Sequence, residues 1–419
     1  MHVNPNPNPN TYLRPSGTRT RTRSLVSVAS RSAESSPDKD KSRPVFGLLD
    51  SPPPRGLLDE DFLCAHWGVS RGLRESSSAV ADFVTFGHTI LLTWVQIMCL
   101  ESCRRHRKLR SYLTDWAELY DRAEAADQSV EFQSYVANKG MTWDLRSADG
   151  HGPLCAWVER ECALIMTAYL FSSARLELLK PPQFRMIYWY VDFLLGIALQ
   201  NTKLLDGPGG IAVLGGRKGA QSAARYPEVI VREIATIEVQ KAIAQGVLRL
   251  VAGLAIRDDG ESPPADPDRG RQGGEGGVAS GDGRGGGGAR EGQGAFNSER
   301  ECFHQRFSAF HRLVRPDPLV FRQYEESVDL EGVEAAHMLK LSADAFGVAA
   351  RLVAASVDQG IVGPRGSRLE EDFARMARVA QQNQLGISLL ERLGERGREM
   401  KVTWDFSQHP AFPTIKLSR

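Results

Sequence analysis

The sequence predicts an all-α protein: helical hairpins packed as an irregular multi-helix array, with a disordered leader, a Gly-rich disordered linker and an extended C-terminal tail. Three observations carry that reading. Apolar residues recur at helical spacing from Asp82 to Leu393, and no series of β-branched strands appears. The interruptions are proline pairs and glycine clusters, which break helices by removing an N–H donor or by loosening the backbone. Of the 40 glycines, 14 fall in the one segment 258–297, so the remainder is closer to an ordinary globular composition. At 419 residues and 42% hydrophobic, the chain can bury a sizeable core in two or three domains. A net charge of +1 gives no global attraction to nucleic acid or membrane. Six scattered cysteines suit a reducing compartment.

Residues 1–55 are low complexity. An Asn-Pro repeat from Asn4 to Asn10 precedes an Arg/Thr/Ser stretch with no acidic residue before Glu34. This composition cannot bury enough surface to fold, and it also suits an organelle transit peptide. A helical domain is expected over 56–257. Near its start, Gly68-x-Ser70-x-Gly72 formally matches the nucleophile elbow of α/β hydrolases, which requires a parallel sheet around Ser70. The pattern that follows is helical. Phe83 to Leu100 lies between Asp82 and Glu101 without a charge, but His88, Gln96 and three threonines argue for a buried helix over a membrane span. Cys99, Cys103 and His106 share one helix face, yet no second pair completes four metal ligands, so they read as core.

Arg104, Arg105, Arg107, Lys108 and Arg110 form the densest basic run. Leu109, Leu113, Trp116 and Tyr120 follow at helical spacing, so the cations open an amphipathic helix and oppose its dipole. Such a run is either a solvated surface turn or a contact for phosphate. A helix from Pro153 to Ala174 uses Trp157, Leu164, Ile165, Tyr169 and Leu170 as core. Pro181 and Pro182 then turn the chain into a second helix, opened by Tyr188, Trp189 and Tyr190. Three aromatics over most of one turn require cover on several sides. The glycines from Gly207 to Gly219 fit no phosphate-loop spacing and read as a surface loop. Val229 to Ile256 returns to helix, with Ile230, Ile234, Ile237, Ala242 and Val247 as its apolar side.

The glycine-rich segment 258–297 reads as a disordered linker. Its Arg271-x-x-Gly274-x-Gly276 matches an acetyl-CoA loop only as chance in such a composition, since neither strand nor helix flanks it. The region 298–419 is expected to hold two more helices, Ala335–Val357 and Leu369–Leu393, separated by Gly360 to Gly366. No clean repeat period is visible. The alternation of Trp404/Phe406 and Ile415/Leu417 makes the tail a pair of extended anchors on the helices.

Three stretches resemble the large auxiliary subunit of the N-terminal acetyltransferase complex NatC. The first is Leu176-Glu177-Leu178 with Pro182, Phe184, Met186, Ile187, Tyr188, Trp189 and Tyr190. The second is Phe303-x-x-Arg306-Phe307-x-x-Phe310, followed by Pro316 and Pro318, with Gln305 standing where the family has histidine. The third is Asp405, Phe406, Ser407, His409, Phe412, Pro413, Lys416 and Leu417. The resemblance runs from about Asp82 onward and covers the family's C-terminal half. The family's N-terminal half, with its Asp-Pro-Lys-Met-Asp stretch, has no counterpart. It implies a non-catalytic scaffold in the cytoplasm. The scaffold would support a separate GNAT catalytic subunit and an LSm-like small subunit at the ribosome, acting on nascent chains that begin with Met and a large hydrophobic residue. The motif residues then read as structural and the basic run as a ribosome contact. No catalytic, cofactor-binding or metal residue is assigned, and neither a membrane nor specific DNA is a partner. The rival readings are a helical RNA-binding module lacking an acetyltransferase partner and a hydrolase using Ser70.

Overall fold

The computed structural model describes residues 71–98, 100, 102–138, 152–176, 183–206, 226–259, 291–313, 315–328, 330, 332–363, 366–394 and 399–418. The chain divides into two units, Met1–Pro44 and Val45–Arg419, and every described residue lies in the second. The leader, Ser70, Cys99, Pro182, the Gly207–Gly219 loop and the Arg271–Gly276 motif fall outside the described residues.

Eleven α-helices make up almost all of the described structure. They are α1 (Arg71–Ser76), α2 (Ser78–Met98), α3 (Ser102–Gln128), α4 (Val130–Asn138), α5 (Pro153–Arg175), α6 (Phe184–Asp206), α7 (Tyr226–Asp259), α8 (Glu291–Phe307), α9 (Phe321–Val328), α10 (Ala335–Asp358) and α11 (Arg368–Leu393). A short hairpin of β1 (Lys401–Asp405) and β2 (Thr414–Ser418) closes the chain. Helix α8 begins inside the segment expected to be linker.

The long helices pack in chain order, each against the next: α2 on α3, then α5, α6, α7, α10 and α11. Successive members run antiparallel. Arg122 late in α3 meets Asp82 early in α2, Lys203 late in α6 meets Glu238 early in α7, and Arg249 in α7 reaches Leu341 early in α10. Nearest-neighbour packing of this kind is the logic of a helical solenoid. The lengths of these helices run from 21 to 34 residues, which is why no constant period is legible. One continuous cluster of buried apolar side chains runs from Leu73 to Ile415, so the glycine-rich segment interrupts the sequence but not the core.

Local chemistry explains the helix boundaries. Pro153 occupies the first turn of α5, where its missing N–H costs nothing. The next two N–H groups, of Leu154 and Cys155, donate to the carboxylate of Asp127 at 3.2 and 2.9 Å, across from the end of α3. Gly152 makes room for that contact, since a Cβ there would lie 2.1 Å from Asp127 Cγ. Burial raises the Asp127 pKa to about 7, against the lowering pull of the two N–H donors. Between α10 and α11 the turn uses Gly360, Gly363 and Gly366, all at positive φ. Ser367 then caps α11 by accepting the Glu370 N–H.

Helix α2 is buried on one face, and its threonines Thr85, Thr89 and Thr93 return their hydroxyl protons to carbonyls one turn back. Among the described residues, the helix with the length and composition of a membrane span is instead Ile230–Asp258 within α7, whose apolar window is 67% buried inside the array. It comes close to α10 at Gly246, where a Cβ would meet the Phe346 ring at 2.8–2.9 Å and where Ser342 donates to the Gly246 carbonyl at 2.7 Å.

The tail is extended, as expected. Its two apolar stretches pair with each other, Trp404 opposite Ile415 and Val402 opposite Leu417. Extended backbone carries unpaired N–H and C=O groups, and a hairpin satisfies one edge of each strand before it docks. Within the described residues this hairpin is the whole of the β-structure, and Arg71, next to Ser70, opens a helix. The parallel sheet that the hydrolase reading requires is therefore not among the described residues.

Candidate interaction surfaces

Motifs separated by more than two hundred residues meet on one helix, α6. Phe184 sits edge-on to both Trp404 and Phe406, each with ring centroids 5.7 Å away. One turn on, the fully buried Tyr188 stacks over Phe412 at 6.2 Å and donates its hydroxyl to the Ala411 carbonyl at 2.6 Å. Burial pushes the Tyr188 phenol pKa well up, so it stays a donor. Tyr190 faces the other way. It stacks on Phe307 at 4.5 Å, lies edge-on to Phe310 at 5.2 Å and accepts the Leu319 N–H at 3.1 Å. Trp189, between them, is edge-on to Tyr324 at 5.3 Å. Met186 and Ile187 are fully buried. The first family stretch is thus the hub that joins the second on one flank and the third on the other. Buried aromatics at these separations each add about 0.5–1.5 kcal/mol per pair beyond area burial.

The third stretch is held by polar contacts that its composition alone does not announce. The Asp405 carboxylate accepts from Ser407 N–H at 2.9 Å, Ser407 Oγ at 2.7 Å and Lys416 Nζ at 2.8 Å. Burial opposes its ionisation, but the Lys416 and Ser407 bonds outweigh it and hold the carboxyl below the usual range. His409 is buried. Its Nδ1 accepts the Ala411 N–H at 3.1 Å, which leaves the proton on Nε2, facing Asp372 Oδ1 at 3.5 Å. Phe412 is fully buried, Pro413 is buried and Leu417 half-buried.

Sequence reasoning missed the two residues of α11 that receive this stretch. Asn383, fully buried, donates to the Pro413 carbonyl and accepts the Ile415 N–H, both at 2.9 Å. Gly386 admits Ile415, whose side chain would lie 2.7 Å from an added Cβ. A polar residue and a glycine on the apolar face of a helix were the available signals.

The basic run does open α3, as expected. Arg104, Arg107, Lys108 and Arg110 are exposed, while half-buried Arg105 donates to the Leu100 carbonyl at 3.3 Å. Arg110 also donates to Ser308 Oγ at 2.7 Å, tying the run to the end of the second stretch. Arg306 from that stretch lies close enough to act on His106, so charges 200 residues apart in sequence share one edge. His106 stacks on Tyr169 at 4.4 Å and lies 2.6 Å from Ser173 Oγ. Ser173 gives its own proton to the Tyr169 carbonyl, so His106 Nε2–H is the donor. Burial first, then Arg306 and Arg110, push the His106 pKa down to about 4. Leu109, Leu113, Trp116 and Tyr120 line the core, each no more than 3% exposed. Gln305, the departure from the family pattern, is exposed. No group of three metal-ligating side chains occurs among the described residues, and the Cys103 side chain lies outside them.

Comparison with known proteins follows this geometry. The family model described as NAA35-like, TPR repeats, matches residues 62–270 and 285–415. That description supplies the repeat class that the sequence period did not reveal. The rat protein named N-alpha-acetyltransferase 35, NatC auxiliary subunit, is 23% identical over 354 residues, covering 82% of this chain and 43% of its own length. The human protein of that name is 22% identical over 354 residues with the same coverage. The chain therefore spans less than half the length of these relatives. Among solved structures, the apo NatC complex contains a similar chain at TM-score 0.56 and 14% identity, covering 86% of this chain and 51% of that one. The NatC complex bound to Arl3 peptide and CoA gives 0.57 at 14% identity, with the same coverage. Family-model coverage of both helical regions on either side of the glycine-rich segment, together with the shared fold, settles the affiliation: this chain belongs to the NAA35-like, TPR-repeat family.

Proposed function

We propose that this chain is a non-catalytic scaffold subunit of a NatC-type N-terminal acetyltransferase complex. The observation that carries the reading is the convergence of all three family stretches on α6, which makes them one structural junction. Side chains spent on such a junction organise a surface; they do not form a pocket of convergent polar groups. The catalytic step belongs to a separate GNAT subunit that transfers acetyl to nascent chains beginning with Met and a large hydrophobic residue, with an LSm-like small subunit completing the assembly in the cytoplasm. The test is co-expression with those two subunits, co-purification, and an acetylation assay with and without this chain. Acetylation that depends on the chain supports the scaffold; failure to co-purify, or turnover by the chain alone, rejects it.

Ribosome association is the second part of the proposal, supported by the exposed cations of α3 and by Arg306 beside them. Charge reversal at Arg104, Arg105, Arg107 and Lys108 should weaken ribosome co-sedimentation at low salt. For each phosphate no longer neutralised, the slope of log K against log salt should fall by about 0.7–0.9. Unchanged sedimentation removes the basic edge from the proposal. A helical module that binds RNA without an acetyltransferase partner is the rival reading. It predicts the same salt dependence with no co-purifying subunit.

A further inference from the structure

We propose that the outer face of α11 is a docking ridge for an amphipathic helix of a partner protein, a helix with an apolar stripe and carboxylates flanking it at both ends. Leu385, Leu389 and Leu393 recur one turn apart and are 66%, 50% and 38% exposed. At about 100° per residue they form one line along the helix. On either side of that line the helix is already occupied. Gly386 lies under Ile415 of the hairpin, and Gln384 donates to the Ala343 carbonyl of α10 at 3.1 Å. The leucines therefore point outward from α11, the last of the described helices.

A helical stack needs a polar outer face on its terminal member, because nothing further covers it. The exposed face of α2 carries Asp82, Thr85, Thr89 and Gln96, with a 39%-exposed leucine, Leu92, among them. The α11 face instead groups three exposed leucines one turn apart. A second copy does not fit. Three leucines leave open on the order of 300 Å², well short of the ~800 Å² per partner that a stable pair buries. A helix that belongs to a larger interface needs no more than this ridge as its anchor. Charge sets its flanks. Arg378 and Arg392, seven residues before and after Leu385, lie within about 20° of it around the helix and are exposed, the first two turns ahead of the stripe and the second beside its last leucine, Leu393; Glu391 points about 120° away from Leu385. Between the two arginines the outward positions Gln381 and Gln382 are neutral. A complementary helix carries carboxylates beyond one end of its apolar stripe and beside the other.

The partner assignment rests on the scaffold reading above; the ridge does not. The full chain is first titrated against three synthetic helical peptides that share one leucine stripe and differ only in flanking residues, Glu, Gln or Lys. The Glu-flanked peptide should bind roughly tenfold or more tighter than the Lys-flanked one. L385D/L389D should lose binding to a similar degree with its unfolding temperature unchanged, and R378E/R392E should invert the flank preference. Equal affinity for all three peptides, or self-association that L385D/L389D abolishes, overturns the inference. The same variants are then co-expressed with the catalytic and small subunits. If the parent chain joins them and L385D/L389D joins equally well, the ridge is refuted while the scaffold stands. If the parent chain joins neither, the scaffold reading fails and flank selectivity in the peptide titration decides the ridge.

Discussion

Replacing Asn383 with leucine should release the C-terminal hairpin while leaving the helical array folded. Asn383 is the α11 side chain that satisfies buried backbone groups of the tail, donating to the Pro413 carbonyl and accepting the Ile415 N–H at 2.9 Å each. Leucine has nearly the same volume, so the cavity contribution is small. What remains is two backbone groups, buried and unpaired, each costing about 1–3 kcal/mol, or about 2–6 kcal/mol together. Docking is otherwise favoured by burial of Phe412, Ala411 and Ile415 and by the Tyr188 hydroxyl bond. Hydrogen exchange separates local from global loss: amides of 401–418 should lose protection by about one to four powers of ten, while those of α5 and α6 keep theirs. Aspartate at 383 retains the acceptor for Ile415 but not the donor for Pro413, so it should retain part of the protection at most. Hairpin amides as protected in the leucine variant as in the parent chain would refute the reasoning.

Tyr188→Phe deletes the 2.6 Å bond to Ala411 and nothing else, and should cost about 1–3 kcal/mol in urea unfolding; no change would mean water replaces the hydroxyl. Gly246→Ala drives a Cβ to 2.8–2.9 Å from the Phe346 ring at the α7–α10 crossing, so unfolding should show a loss of about 1–3 kcal/mol, relieved when Phe346 is shortened to leucine. The two perturbed titrations predict opposite pH slopes. The His106 pKa is lowered from 6.5 to about 4, so the unfolded chain binds the extra proton between those values. Its contribution is present above about 6.5 and is lost as pH falls toward 4. Asp127 is raised from 3.8 to about 7, so its contribution is present below 3.8 and is lost as pH rises through 7. Urea midpoints of His106→Gln and Asp127→Asn against the parent chain across this range should diverge with opposite sign; parallel curves would contradict both assignments.

The long helices α2, α3, α5, α6, α7, α10 and α11 were legible in the sequence, whereas the short α1, α4 and α9 and the start of α8 were not. Buried positions on α3, α5 and α7 recur at helical spacing, and prolines and glycines mark most of the ends, because both signals are local properties of the chain. The aromatic triplet Tyr188, Trp189 and Tyr190 announced a helix covered on several sides, since no single face can hold all three. What covers it was not legible from spacing. Phe307 and Phe310 lie more than a hundred residues away, and Phe412 more than two hundred, across a glycine-rich segment with no pattern of its own. The tail showed its alternation but not its pairing, because strand register depends on partners that an isolated strand does not specify. Asn383 and Gly386 look like blemishes on an apolar face until the hairpin is seen to use one for hydrogen bonding and the other for close approach. The Leu385–Leu389–Leu393 line could equally have been core. Sequence by itself determined where the long helices form, because propensity and periodicity act over a few residues. Tertiary structure alone decided which apolar faces find each other and which is left to face outward, because that choice is made between segments far apart along the chain.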